Sequence, residues 1–419
     1  MFVKGNASRN GGALPLKAAC RCLYARGGEV LRGTSLFEYF PDNYAWSFSV
    51  NLAMMAGGSI GDMHRFLRGL HESAETGTEQ WADAWAAMGH QQESLAGDDI
   101  TAGHLVTAGS RYLRASVYHA AGQRQLPPGP AKSEHYAAAL QAFNNAREHM
   151  SLPLQRIHVD SPDGILPGYL IAPDADEPRP VVICYGGLDL SKEMMYAIFG
   201  HTLARRGITC LVIDTPGVGE PLRLRGVASR PDYEVPTAAI IDHIETRSDL
   251  DASRVAVLGI SLGGYYAARA AAFEPRVRAC VAWSGIWDWG ATLQNRWDSP
   301  GRAAVRWFQL PWVLGTSTEE AALERARQWS LADVWPEVHQ PLLIVHGEND
   351  QQLPAQDAAR AYAAAGSPDK YLRIFTEAEG GAEHIQVDEP DPARQLIADW
   401  LAQQLGAVPA NPARLLAAL

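Results

Sequence analysis

The 419-residue sequence predicts an α/β fold, a mostly parallel sheet flanked by helices and preceded by an N-terminal helical domain. Three observations carry that expectation. Residues 35–151 repeat apolar side chains at helical spacing with no clear strands, the period changes near residue 152, and short apolar runs then alternate with helix-length stretches.

The first 34 residues hold six Lys or Arg against one acidic residue and no continuous apolar segment, so they read as a loosely ordered extension without a secretory signal. From residue 35 to 151 the helical spacing is carried by Trp81, Trp85 and Met88, then by Leu105, Ala108, Tyr112, Ala115 and His119. Turns are marked by Phe40-Pro41-Asp42-Asn43, Gly57-Gly58-Ser59 and Leu126-Pro127-Pro128-Gly129-Pro130. The catalytic region is expected over 152–419. It opens with a hairpin pattern, residues 155–159 and 168–171 around Pro162-Asp163-Gly164. Six runs follow that read as strands buried on both faces: 180–185, 208–213, 254–258, 277–283, 341–345 and 371–375. In such sheets ligands bind beyond the carboxyl ends of the strands.

Composition narrows the function. With 47% hydrophobic and 20% charged residues the chain can bury a sizeable core, and a net charge of -11 argues against a nucleic-acid surface. Its apolar runs are far shorter than the ~20 residues that a membrane span needs. Five cysteines, Cys20, Cys22, Cys184, Cys210 and Cys280, fit buried thiols in a reducing compartment better than a disulfide framework, so the expected location is cytoplasmic. No metal or cofactor is expected.

The chemistry is sought where strands end. Gly259-Ile260-Ser261-Leu262-Gly263 lies between a predicted strand and the helical run 265–273. This G-x-S-x-G arrangement is a nucleophile elbow, whose small flanking residues permit a strained turn that lifts the hydroxyl clear of the sheet. A serine needs a base to take its proton, and the base needs a carboxylate to orient it. Asp350 follows the run 341–345 and is the candidate acid, with Glu348 as runner-up. His384 is the histidine that follows the last predicted strand, on the glycine-rich loop 379–384, and is the candidate base; Glu383 beside it reads as solvated. Gly187 and Leu188, after the run 180–185, together with Leu262, are the candidate oxyanion hole. The order Ser, Asp, His is that of the α/β-hydrolase fold.

Tyr185-Gly186-Gly187-Leu188-Asp189, the loop 214–220, the elbow 259–264, the loop 346–350 and Gly381 to His384 resemble 2,6-dihydroxypseudooxynicotine hydrolase and related enzymes, which include FrsA-like esterases and fungal polyketide-shortening hydrolases. The likeness spans roughly residues 35–405 and extends to the helical segment 102–115. It implies hydrolysis of a C–C bond beside a ketone, or of an ester or thioester. In the nicotine-degrading enzyme a glutamate follows Gly-Gly-Leu, whereas Asp189 stands here. Asp189 either holds a substrate group or caps the helix that begins near Lys192. Six tryptophans, Trp283, Trp287, Trp289, Trp297, Trp307 and Trp312, fall in or beside an insertion at about 284–332. They either cover the site, with Trp283 and Trp287 against substrate, or pack the insertion onto the helical domain.

The expected function is therefore a serine-nucleophile hydrolase of an aryl ketone, a β-diketone or an ester. An acyltransferase or cyclase using the same triad, and a regulatory protein that keeps only the fold, are the alternatives. Expected partners are a small aromatic or polyketide-like substrate and, at most, a second copy of the chain in a homodimer.

Overall fold

The computed structural model describes residues 2–4, 35–73, 77–150, 152, 154–173, 177–298 and 306–409. Cys20, Cys22 and most of the N-terminal extension lie outside the described residues. Five helices come first: α1 (Tyr44–Met55), α2 (Ile60–Leu67), α3 (Thr78–Thr101), α4 (Leu105–Gln123) and α5 (Pro130–Met150). The spacing seen in the sequence is the buried face of α3, where Trp81, Trp85, Met88, Gln92 and Ala96 recur every three or four residues. Leu105 departs from the expectation. It is exposed at the start of α4, whose burial becomes continuous only from Ala115, where the helix runs between α3 and α5.

Among the described residues nine strands form one sheet: β1 (Phe2–Lys4), β2 (Gln155–Val159), β3 (Leu166–Ile171), β4 (Arg179–Tyr185), β5 (Thr209–Ile213), β6 (Leu250–Ile260), β7 (Val277–Trp283), β8 (Leu342–Gly347) and β9 (Lys370–Phe375). Their order is β1-β9-β8-β7-β6-β4-β5-β3-β2. From β5 to β9 the neighbours run parallel, while β2, β3 and β1 add antiparallel edges. β1 arises within the extension and could not be foreseen, because three residues carry no readable period. β9 was expected to be buried on both faces, yet only Leu372 and Phe375 are; it is the last parallel strand, with only three-residue β1 beyond it.

The strand period of two divides the core. Val182, Cys184, Leu258, Val281, Trp283 and Val345 point to the layer shared with α1–α5, and Val181, Ile183, Val257, Ala282 and Ile344 to the other. That second layer includes the helices Trp289–Asp298 and Gln309–Leu314 of the insertion. Among the described residues, no helix is long and apolar enough to cross a membrane.

Candidate active site

Ser261 stands between the end of β6 and the helix Leu262–Phe273, at φ 58° and ψ −117°. This is backbone that a side chain adopts only under constraint, at a cost of about 1–3 kcal/mol. The glycines around it explain how the turn closes. A Cβ on Gly259 would lie 1.7 Å from the Gly263 oxygen, and one on Gly263 would lie 2.4 Å from the Tyr185 oxygen. Any larger residue would force the turn open. Among the described residues the other non-glycine positions with positive φ are Ser284, Ile385 and Gln386. All adjoin this site: the Ser284 hydroxyl accepts from the Ile385 N–H at 3.1 Å, one residue past His384. Strain is thus concentrated where β6, β7 and the loop after β9 converge.

His384 lies in that last loop, in a 3-10 turn. Its Nε2 is 3.0 Å from Ser261 Oγ and its Nδ1 is 2.7 Å from Asp350 Oδ2. An Nδ1–H donated to the carboxylate leaves Nε2 to accept the serine proton, so the arrangement can convert the hydroxyl into a nucleophile. The other Asp350 oxygen accepts from the Gln352 and Leu353 N–H groups, each at 2.9 Å. Burial alone would raise the Asp350 pKa, but His384, His346 and the Leu353 amide overcome it and hold the carboxyl below its ordinary value. Glu348 is exposed and accepts from the Glu377 amide, so it turns away from His384.

Glu383 corrects an expectation. It is fully buried, with its Oε1 3.4 Å from the Ser35 hydroxyl, and burial, aided by the charges of Asp388 and Asp350, pushes its carboxyl up to about 7. The loop that carries it is tied down by Asp388, which accepts from the N–H groups of Gly381, Ala382 and Glu383 at 3.0–3.1 Å. Nothing in the sequence singled out Asp388. A carboxylate a few residues beyond a Gly-Gly turn is the signal that could have found it.

A cavity opens above Ser261 and His384. Leu188, Leu262, Ile286, Trp289, Leu293, Trp307, Leu310 and Leu353 give it an apolar wall, and Thr292, Arg296 and Gln352 are its polar members. Of the residues expected to form the oxyanion hole, Leu188 and Leu262, the latter the first residue of the helix after Ser261, line the cavity, and Gly187 passes so close that a Cβ there would lie 3.1 Å from Ser261 Cβ. From α1, the Phe48 ring comes within 6.0 Å of the His384 ring.

Of the three residues expected to contact substrate, Trp283, Trp287 and Asp189, none lines the cavity. Trp283 is fully buried in the opposite layer, against Phe199, and its Nε1 donates to Gln386 Oε1. Strand parity decides this, since Trp283 shares the face of Ala279 and Val281. It therefore braces the loop of His384. Trp287 is half-buried and packed in the core, and the cavity takes Trp289 and Trp307 instead. Asp189 neither lines the cavity nor caps a helix. Arg223 and Arg124 approach its carboxylate at 3.5 and 3.7 Å, and the Lys192 N–H is taken by Asp214 at 2.7 Å. Away from the cavity, His90 and His119 both hydrogen-bond Glu93, at 2.9 and 3.3 Å, in a group of metal-ligating type.

Residues 75–288 match the family described as Esterase FrsA-like, and residues 200–407, which hold Ser261, Asp350 and His384, match the Prolyl oligopeptidase family. Hydrolase phmG of Phaeosphaeria nodorum is 33% identical over 331 residues, 68% of this chain and 74% of that protein. The 2,6-dihydropseudooxynicotine hydrolase of Paenarthrobacter nicotinovorans is 29% identical over 322 residues, 77% of this chain and 83% of that one. A crystal structure of the 2,6-dihydroxy-pseudo-oxynicotine hydrolase superposes with a TM-score of 0.70 at 25% identity, covering 87% of this chain and 98% of the other.

Proposed function

The chain belongs to the FrsA-like esterase family of α/β hydrolases, and from that premise we propose that it is a serine hydrolase working through an acyl-enzyme on Ser261. The reading rests on one observation: Ser261 Oγ, the His384 ring and Asp350 are joined at 3.0 and 2.7 Å on a strained turn facing a cavity. Ser261 Oγ attacks the substrate carbonyl carbon while His384 Nε2 takes its proton. The tetrahedral oxyanion is held by the Leu188 and Leu262 amides. Collapse breaks the bond to the leaving group, which leaves with the proton carried by His384. Water, deprotonated by the same imidazole, then frees the acid and restores Ser261.

The apolar and aromatic wall favours a carbonyl compound with a hydrophobic body, an ester or a ketone. C–C cleavage additionally requires a leaving carbanion that can be stabilised, which a β-dicarbonyl or a hydroxylated aryl ketone provides. Because Asp189 is engaged by two guanidinium groups, it does not supply a free carboxylate for a cationic substrate.

The test is turnover of p-nitrophenyl pentanoate together with mass spectrometry after a fluorophosphonate. Ser261→Ala is expected to remove turnover by about 10³-fold or more and to abolish the adduct. Near-wild-type turnover in that variant would overturn the reading.

A further inference from the structure

The helix Trp289–Asp298 presents Trp289, Thr292, Leu293 and Arg296 to the cavity, one stripe at i, i+3, i+4 and i+7. Three of the four are neutral. An arginine on an inward-facing stripe normally has a carboxylate partner, because its guanidinium cannot shed its charge and is costly to desolvate. Among the described residues Arg296 has none. Its one acceptor among the described residues is the Gln352 carbonyl oxygen, 2.7 Å from Nη2. The adjoining residues 299–305 contain no Asp or Glu. Asp350 acts on Arg296 from nearby, but its oxygens are already committed to His384 and to the Gln352 and Leu353 amides. Desolvation accordingly lowers the Arg296 pKa, with Asp350 and Tyr44 opposing. The remaining N–H groups have no protein acceptor among the described residues, in the same cavity as the Ser261 hydroxyl.

We propose that Arg296 recognises an anionic oxygen on the substrate. This rests on the serine-hydrolase reading and deepens it: the favoured substrates are acyl compounds that carry a carboxylate, or β-dicarbonyl compounds that ionise to an enolate. The chain carries a net charge of -11, which disfavours anions, so selecting one requires a local cation of this kind. For a β-dicarbonyl the same guanidinium would also favour the enolate that leaves when the C–C bond breaks, whose electron pair then takes the proton from His384.

The experiment uses the full chain and two substrate sets. The first is three p-nitrophenyl esters of matched length: hemiglutarate, pentanoate and 5-(trimethylammonio)pentanoate. The second pairs benzoylacetone with its 2,2-dimethyl derivative, which cannot form the conjugated enolate. In the wild type, kcat/KM should fall in the order anionic, neutral, cationic. In Arg296→Gln the ratio of hemiglutarate to pentanoate should drop by roughly 10–100-fold, the scale of a lost charge-assisted hydrogen bond, and Arg296→Lys should recover part of it. A drop confined to the hemiester identifies a carboxylate, and one confined to the benzoylacetone pair identifies an enolate. Unchanged ratios in both sets overturn the proposal, and so does a flat wild-type series even if neither variant folds. Should Ser261→Ala retain pentanoate turnover, the serine reading fails instead, which separates the two failures.

Discussion

The loop that follows β8 and the loop that follows β9 each bury a carboxylate beside the same imidazole, and they treat it in opposite ways. Asp350 receives His384 and two backbone N–H groups and is held below its ordinary pKa. Glu383 receives the Ser35 hydroxyl at 3.4 Å and a backbone hydrogen bond from Leu36, faces the charges of Asp388 and Asp350, and is raised to about 7. Burial pushes both upward, so burial does not decide the sign; the donors and anions around each group do. A buried carboxylate becomes useful for orienting a histidine only when the backbone surrounds it with donors. The charge that Asp350 keeps is in turn part of what lifts Glu383.

The largest effect should come from removing that asymmetry at its ionised member. Asp350→Asn is expected to lower kcat by about 10³–10⁴-fold by upsetting the tautomer of His384, while Glu348→Gln changes it by less than about threefold. Steady-state kinetics on p-nitrophenyl pentanoate would show this, and the reverse ranking would move the acid to Glu348.

A smaller effect is expected from the backbone of the second loop. Asp388→Ala leaves three N–H groups without their acceptor, at about 1–3 kcal/mol for a buried unsatisfied group. The melting temperature should fall, and kcat should drop roughly 10-fold with little change in KM, as suits a residue that positions His384 without touching substrate. Asp388→Asn, which keeps an oxygen acceptor, should recover part of both. A lowered melting temperature with unchanged kcat would confine Asp388 to stability.

The smallest effect is the pH dependence of stability. Asp350 has a folded pKa below its ordinary 3.8, so its contribution is present above that value and is lost as pH falls through the folded pKa. Glu383 runs the other way. Its folded pKa of about 7 exceeds the ordinary 4.5, so its contribution is complete below pH 4.5 and is lost as pH rises through about 7. Melting temperatures of Glu383→Gln should therefore decline less than those of the wild type between pH 4.5 and 7. Parallel profiles would mean that Glu383 ionises in the folded state as an ordinary carboxylate.

What could be read without coordinates was local in the chain. Ser261 is visible because an elbow needs a strand, small residues and a helix within a few positions, and those occur together at 254–273. Asp350 and His384 follow because each comes shortly after a strand-forming run, and such runs show their period without reference to anything distant. The long helices α3 to α5 were legible for the same reason. Arg296, Asp388, the burial of Glu383 and the true place of Trp283 were not. Trp283 looked like a substrate contact until strand parity turned it toward Phe199, on the far side of the sheet from the cavity. Nothing in the sequence singled out Arg296; packing directed its stripe at the cavity of Ser261, 35 positions earlier in the chain, and left its guanidinium with the Gln352 carbonyl among the described residues. A side chain's own period says which neighbours share its face. What that face meets depends on contacts between segments far apart in sequence, and only the folded chain brings those together.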